Sequence, residues 1–132
     1  MHGETDLNKL LKEMSPCLEQ DEYVFISVQG SYSDCQHLNP ICSFAENEGL
    51  TLIITKKSAE ENNYPVADTY RKITLQIHSS LDAVGLTAAA SSKLAENGIS
   101  ANIVAAYYHD HIFVKSEDAQ KALDLLKELS LK

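Results

Sequence analysis

The stretch Ile73–Gly98, ITLQIHSSLDAVGLTAAASSKLAENG, decides the fold. Ile73, Leu75 and Ile77 alternate with Thr74, Gln76 and His78, the pattern of a strand with one face on a core. The period then changes, and Ala83, Leu86, Ala90 and Leu94 form one apolar helical stripe. Ser79-Ser80 offers an N-cap hydroxyl, Asp82 suits the positive end of the helix, and Asn97-Gly98 closes it. A strand running directly into an amphipathic helix predicts a sheet covered on one face by helices.

Downstream, Ser100–Tyr108 and His111–Lys115 read as strands, with His109-Asp110 where a hairpin turn falls. Ser116 caps a last helix whose inner face is Ala119, Ala122, Leu123, Leu126 and Leu129. The order β-α-β-β-α is one strand short of the split βαβ arrangement. Upstream, Leu7, Leu10, Leu11 and Met14 recur at helical spacing until Ser15-Pro16 stops them. Tyr23–Val28 then alternates as a strand. Ile41–Ala45 and Leu50–Thr55 form a hairpin around Glu46-Asn47-Glu48-Gly49, and Lys56–Asn63 makes a helical turn or two. Asn63-Tyr64-Pro65 is the join. The expected division is 1–66 and 67–132. Neither half closes a full sheet, so the two are expected to exchange or share a strand and lie side by side.

The chain has 132 residues, 44% hydrophobic and 23% charged, enough for a packed core in one domain or two very small ones. A formal net charge of -8 with no basic cluster argues against nucleic acid and against an anionic membrane as partner. No apolar run approaches the roughly 20 residues that span a bilayer, and Met1–Lys12 is too polar for a signal peptide, so a cytoplasmic location is expected. Cys17, Cys35 and Cys42 lack C-x-x-C spacing and read as small buried or half-buried thiols in a reducing compartment. His109 and His111 at i and i+2 make an incomplete metal set, since His78 and His37 would both be needed to reach four ligands. They read as hairpin histidines, and no metal or cofactor is expected. No nucleophile stands with a paired base, and no glycine-rich phosphate loop is present, so no enzyme is expected.

Three runs carry a family resemblance: Ile77–Thr87, Leu94–Ser100 and Tyr107–Val114. They resemble ACT domains, in particular the ACT repeats of aspartokinases and of the cytosolic arginine sensor of animal growth signalling. The whole chain is similar to small bacterial proteins with two ACT-like units in tandem. The resemblance implies an α+β, ferredoxin-like fold of βαββα units in tandem, with antiparallel sheets side by side and helices on one face.

It also implies a small-molecule site, for an amino acid, between the loop after the first strand and a facing strand. By motif the loop is Ser79, Ser80, Leu81, Val84, Gly85 and Leu86, and the facing stretch is Ala106, Tyr107, Tyr108 and Asp110. Ala105-Ala106 stands where amino-acid-binding relatives often have Ser-Thr. The resemblance further implies a homodimer and a partner enzyme supplied in trans. Two readings stay open here: a regulator assembled by its ligand, or a ligand-free interaction and dimerisation module using the same fold.

Overall fold

The computed structural model describes residues 6–77 and 85–131. The chain forms two compact units, one contiguous, Asp21–Tyr70, and one composite, Met1–Gln20 with Arg71–Lys132.

The contiguous unit holds the later part of strand β1 (Pro16–Val28), a 3-10 helix (Tyr32–Leu38), β2 (Cys42–Glu46), β3 (Gly49–Thr55) and, after the N-terminal helix α1 (Leu7–Lys12), the second α-helix of the chain, α2 (Lys56–Glu61). Strand order is β2-β3-β1, antiparallel, with Tyr23 opposite Thr55, Val28 opposite Leu50 and Cys42 opposite Ile53. Alternation sends Val24, Leu52 and Ile54 into one apolar cluster with Cys35, Leu38 and Ala59. Thr55 ends β3 and starts α2 in one step, because its hydroxyl accepts from the Ser58 N–H at 3.1 Å.

The composite unit holds α1 (Leu7–Lys12), the first residues of β1, β4 (Tyr70–Leu75), α3 (Leu86–Ala95), β5 (Asn102–Ala105), β6 (Asp110–Lys115) and α4 (Ala119–Ser130). Its strands run β1-β4-β6-β5. Ile73, Leu75, Ile112 and Val114 face Leu86, Ala90 and Leu94 of α3, together with Ala122 and Leu126 of α4. Leu10 and Met14 belong to the same cluster and are fully buried, so the N-terminal helix completes the core of the later sequence. The division between the units falls within β1, between Gln20 and Asp21.

Several boundaries differ from the sequence expectation. β1 begins at Pro16, seven residues before Tyr23, because Ser15 adopts a left-handed turn (φ 45°) and proline without its N–H is tolerated at the first residue of a strand. A 3-10 helix fills Tyr32–Leu38, a stretch without a periodic apolar pattern. β5 stops at Ala105 and β6 already starts at Asp110, so the turn is Ala106–His109 and Tyr107 and Tyr108 do not alternate across a strand. Ser116 opens a short 3-10 helix, and α4 begins at Ala119. α3 begins at Leu86; the expected cap at Ser79-Ser80 and the apolar Ala83 lie outside the described residues.

Candidate functional site

β5 and β6 pair from Asn102 opposite Phe113 to Ala105 opposite Asp110. The Ala106 N–H donates to the His109 carbonyl at 3.1 Å and closes the turn. Tyr107 and Tyr108 project from it, 66% and 62% exposed, in an edge-to-face pair with centroids 5.0 Å apart. His109 turns back toward β4: its Nδ1 lies 3.2 Å from the Ile77 carbonyl. A carbonyl only accepts, so Nδ1 carries the proton. Asp110 follows with 7% exposure, the buried charged residue among those described, on the face of β6 that also carries Ile112 and Val114.

Gly85 is the N-cap of α3 with φ 102°, a conformation that an L side chain adopts only at a cost. It is therefore not a helix-interior glycine. A Cβ there would come within 3.1 Å of Leu7 Cδ2, so α1 packs directly against the head of α3. Gly85 has no side chain with which to cap this end, and Leu86 behind it is buried. Of the site residues expected from sequence, Gly85 and Leu86 start α3, while Ala106, Tyr107, Tyr108 and Asp110 occupy the hairpin turn and the start of β6. Ser79, Ser80, Leu81 and Val84 lie outside the described residues.

A polar network occupies the other face of the composite sheet. Thr74 donates to Glu19 Oε2 at 2.8 Å, and Lys72 Nζ meets the same oxygen at 3.1 Å. With its one proton given to Glu19, Thr74 accepts from His111 Nδ1 at 2.9 Å. Burial and the nearby Lys72 ammonium hold His111 below the ordinary histidine range. For Glu19, burial works to raise the pKa, but the hydrogen bonds from Thr74 and Lys72 outweigh it and the value falls. This array has the residue types of a catalytic triad and the wrong proton direction, since the imidazole nitrogen facing the hydroxyl is a donor and cannot take its proton.

A concavity of about 540 Å³ lies elsewhere, lined by Lys12, Glu13, Ser15, Pro16, Lys127, Ser130 and Leu131. It contains none of the expected site residues. Its two lysines stand at the carbonyl ends of α1 and α4, which they offset. Among the described residues no three His, Cys, Asp or Glu side chains gather as a metal site, and Cys17, Cys35 and Cys42 are free thiols. No helix among them is long and apolar enough to cross a membrane.

Sequence reading missed two residues at this place. Leu7 gave no signal of its partner, because the contact bridges 78 positions of chain. His109 was read as an ordinary hairpin histidine, and only the fold brings Ile77 to it.

A strand leading to a left-handed glycine and a helix, followed by an antiparallel hairpin and a second helix, describes an ACT domain. Two family models for the ACT domain match the chain, at residues 2–71 and 66–128, and the chain belongs to that family with two such domains in tandem. Among solved structures it is similar to a protein of unknown function from Vibrio cholerae, described as a possible transport protein, with 50% identity and a TM-score of 0.86 over 94% of this chain and 95% of that one. The fold is also shared with the ligand-free regulatory subunit of aspartate kinase from Thermus thermophilus (11% identity, TM-score 0.61, 86% and 95% covered). A protein from Agrobacterium tumefaciens shares it too (19% identity, TM-score 0.58, 83% and 81% covered). No protein with a curated description matches.

Proposed function

We propose that this chain is a non-catalytic, cytoplasmic regulatory protein that takes a free amino acid where β4 gives way to α3, assembles as a homodimer, and passes the bound state to a partner enzyme in trans. The two ACT repeats divide at 66/67, the first lending α1 and the head of β1 to the composite unit. The observation that carries the reading is Asp110, a carboxylate with 7% exposure at the start of β6. It stands beside the turn that His109 ties to the exit of β4.

An ammonium group can join the interactions that the Asp110 carboxylate already makes. The head of α3, whose N-cap is a glycine, suits the ligand's own carboxylate. Ser79, Ser80, Leu81 and Val84 are assigned to the site by family resemblance. Binding confined to the assembled state stabilises it by RT ln(1 + [L]/Kd), about 2.7 kcal/mol at a hundredfold excess. A second reading, a ligand-free interaction module, is favoured by the exposure of Tyr107 and Tyr108, residue types that anchor protein interfaces.

A thermal-shift screen of the free amino acids separates the two. A ligand raises the melting midpoint by several degrees for one or a few of them, and calorimetry then gives its Kd. Flat responses across the whole set reject the amino-acid site and leave the interaction module.

A further inference from the structure

We infer that His109 is a positioning residue for the proposed site, its Nδ1–H holding the Ile77 carbonyl and thereby setting where the chain leaves β4 on its way to Gly85. The inference gives the ligand reading its mechanics and rests on that reading for its functional meaning; its geometry stands independently.

The end of β4 is held from two sides. On one, the Gln76 N–H donates to the Ser15 carbonyl at 3.3 Å, and the Ser15 hydroxyl donates to the Gln76 side chain at 3.2 Å. On the other, Ile77 accepts from His109 at 3.2 Å. Without that ring the Ile77 carbonyl loses this donor, and a partly buried carbonyl that loses a donor costs more than the bond itself contributes.

His109 also acts at the other half of the site. Its carbonyl accepts from Ala106 and shapes the turn that presents Tyr107 and Tyr108, and the next residue is the buried Asp110. One residue thus ties the exit of β4 to the carboxylate at the start of β6. The ring's remaining nitrogen makes no hydrogen bond to another described residue.

The test exploits the identity of the nitrogen. In His109→Asn the amide nitrogen falls where Nδ1 stood and keeps the donor; His109→Leu fills similar volume without one, and His109→Gln places its donor further out. The first readout is the backbone amide resonance of Gly85 in the protein without added ligand. Leu and Gln are expected to shift or broaden it while Asn leaves it near its original position.

The second readout is the calorimetric Kd for whichever amino acid the thermal screen selects. Leu and Gln should weaken binding about tenfold and Asn by less than about threefold. Equal behaviour of Asn and Leu in both readouts, in folded proteins, overturns the assignment. If no amino acid binds the unaltered protein, the ligand reading fails by itself, and the Gly85 resonance alone decides whether His109 positions this passage.

Discussion

The passage out of β1 and the passage out of β4 begin alike and end differently. Each runs from a strand to a glycine in the left-handed region, Gly30 at φ 116° and Gly85 at φ 102°. After Gly30 the chain seals itself: Asp34 Oδ2 accepts from the Ser31 N–H and from the Ser31 hydroxyl, both at 3.0 Å, and a seven-residue 3-10 helix follows. After Gly85 a ten-residue α-helix starts, its N-cap having no side chain of its own. One local carboxylate is enough to satisfy a strand exit internally. A glycine at the N-cap supplies no such acceptor from its own side chain.

The largest effects expected across this comparison are in the cores behind the two passages. Leu94→Ala, fully buried behind α3, should lower unfolding free energy by about 3 kcal/mol in denaturant melts, and Leu38→Ala, fully buried behind the 3-10 helix, by a similar amount. A markedly smaller cost at Leu38 would mean that the contiguous unit collapses around the gap.

Next come the glycines. Gly85→Ala should cost about 2 kcal/mol, because the left-handed backbone is unfavourable for alanine and its Cβ meets Leu7 at 3.1 Å. Leu7→Ala in the same chain should restore part of that loss; strict additivity would show that backbone strain alone is responsible. Gly30→Ala should also destabilise, its Cβ reaching within 3.0 Å of the Asp34 oxygen that Ser31 holds.

The smallest effect is pH dependence, and it should distinguish the units. His111 is held low by burial and Lys72, whereas the unfolded chain binds that proton near pH 6.5. The unfolded state therefore binds more protons as pH falls below about 6.5, and stability drops in that window. Glu19 adds a further loss in more acid solution, as pH falls through its lowered folded value.

In the contiguous unit, hydrogen bonds from Ser31 hold Asp34 low, so its contribution is likewise lost only in acid. Amide exchange compared at pH 7 and pH 5.5 should thus weaken protection mainly in the composite unit, and His111→Gln should remove most of that difference. Equal loss in both units would assign the sensitivity to another group.

The sequence made the second half of the fold legible because its periods are clean: Ile73, Leu75 and Ile77 at two, Leu86, Ala90 and Leu94 at four. The start of β1 was hidden because Pro16 marks a helix stop as readily as a strand start, and Cys17 to Asp21 has only Leu18 as a core-facing residue. Tyr32–Leu38 has two buried residues, too few to declare a period. At the site, Gly85 and Asp110 stood out by residue type and motif. The roles of Leu7 and His109 could not, because their partners are 78 and 32 positions away and the chemistry is an ordinary van der Waals contact and an ordinary backbone hydrogen bond. The Glu19–Thr74–His111 relay was invisible for the same reason, being assembled from three different strands.

The composite unit also sets a timetable for biosynthesis. Residues 21–70 are contiguous, and their contacts can form as soon as that length of chain is free of the ribosome. Leu10 and Met14 are made earlier still, yet the partners that bury them, Ala90, Leu94 and Leu126 among them, arrive only with the last third of the chain. Through most of synthesis the first helix is an apolar stripe waiting for its core, a natural target for a chaperone and a weak point for any fusion placed at the N-terminus.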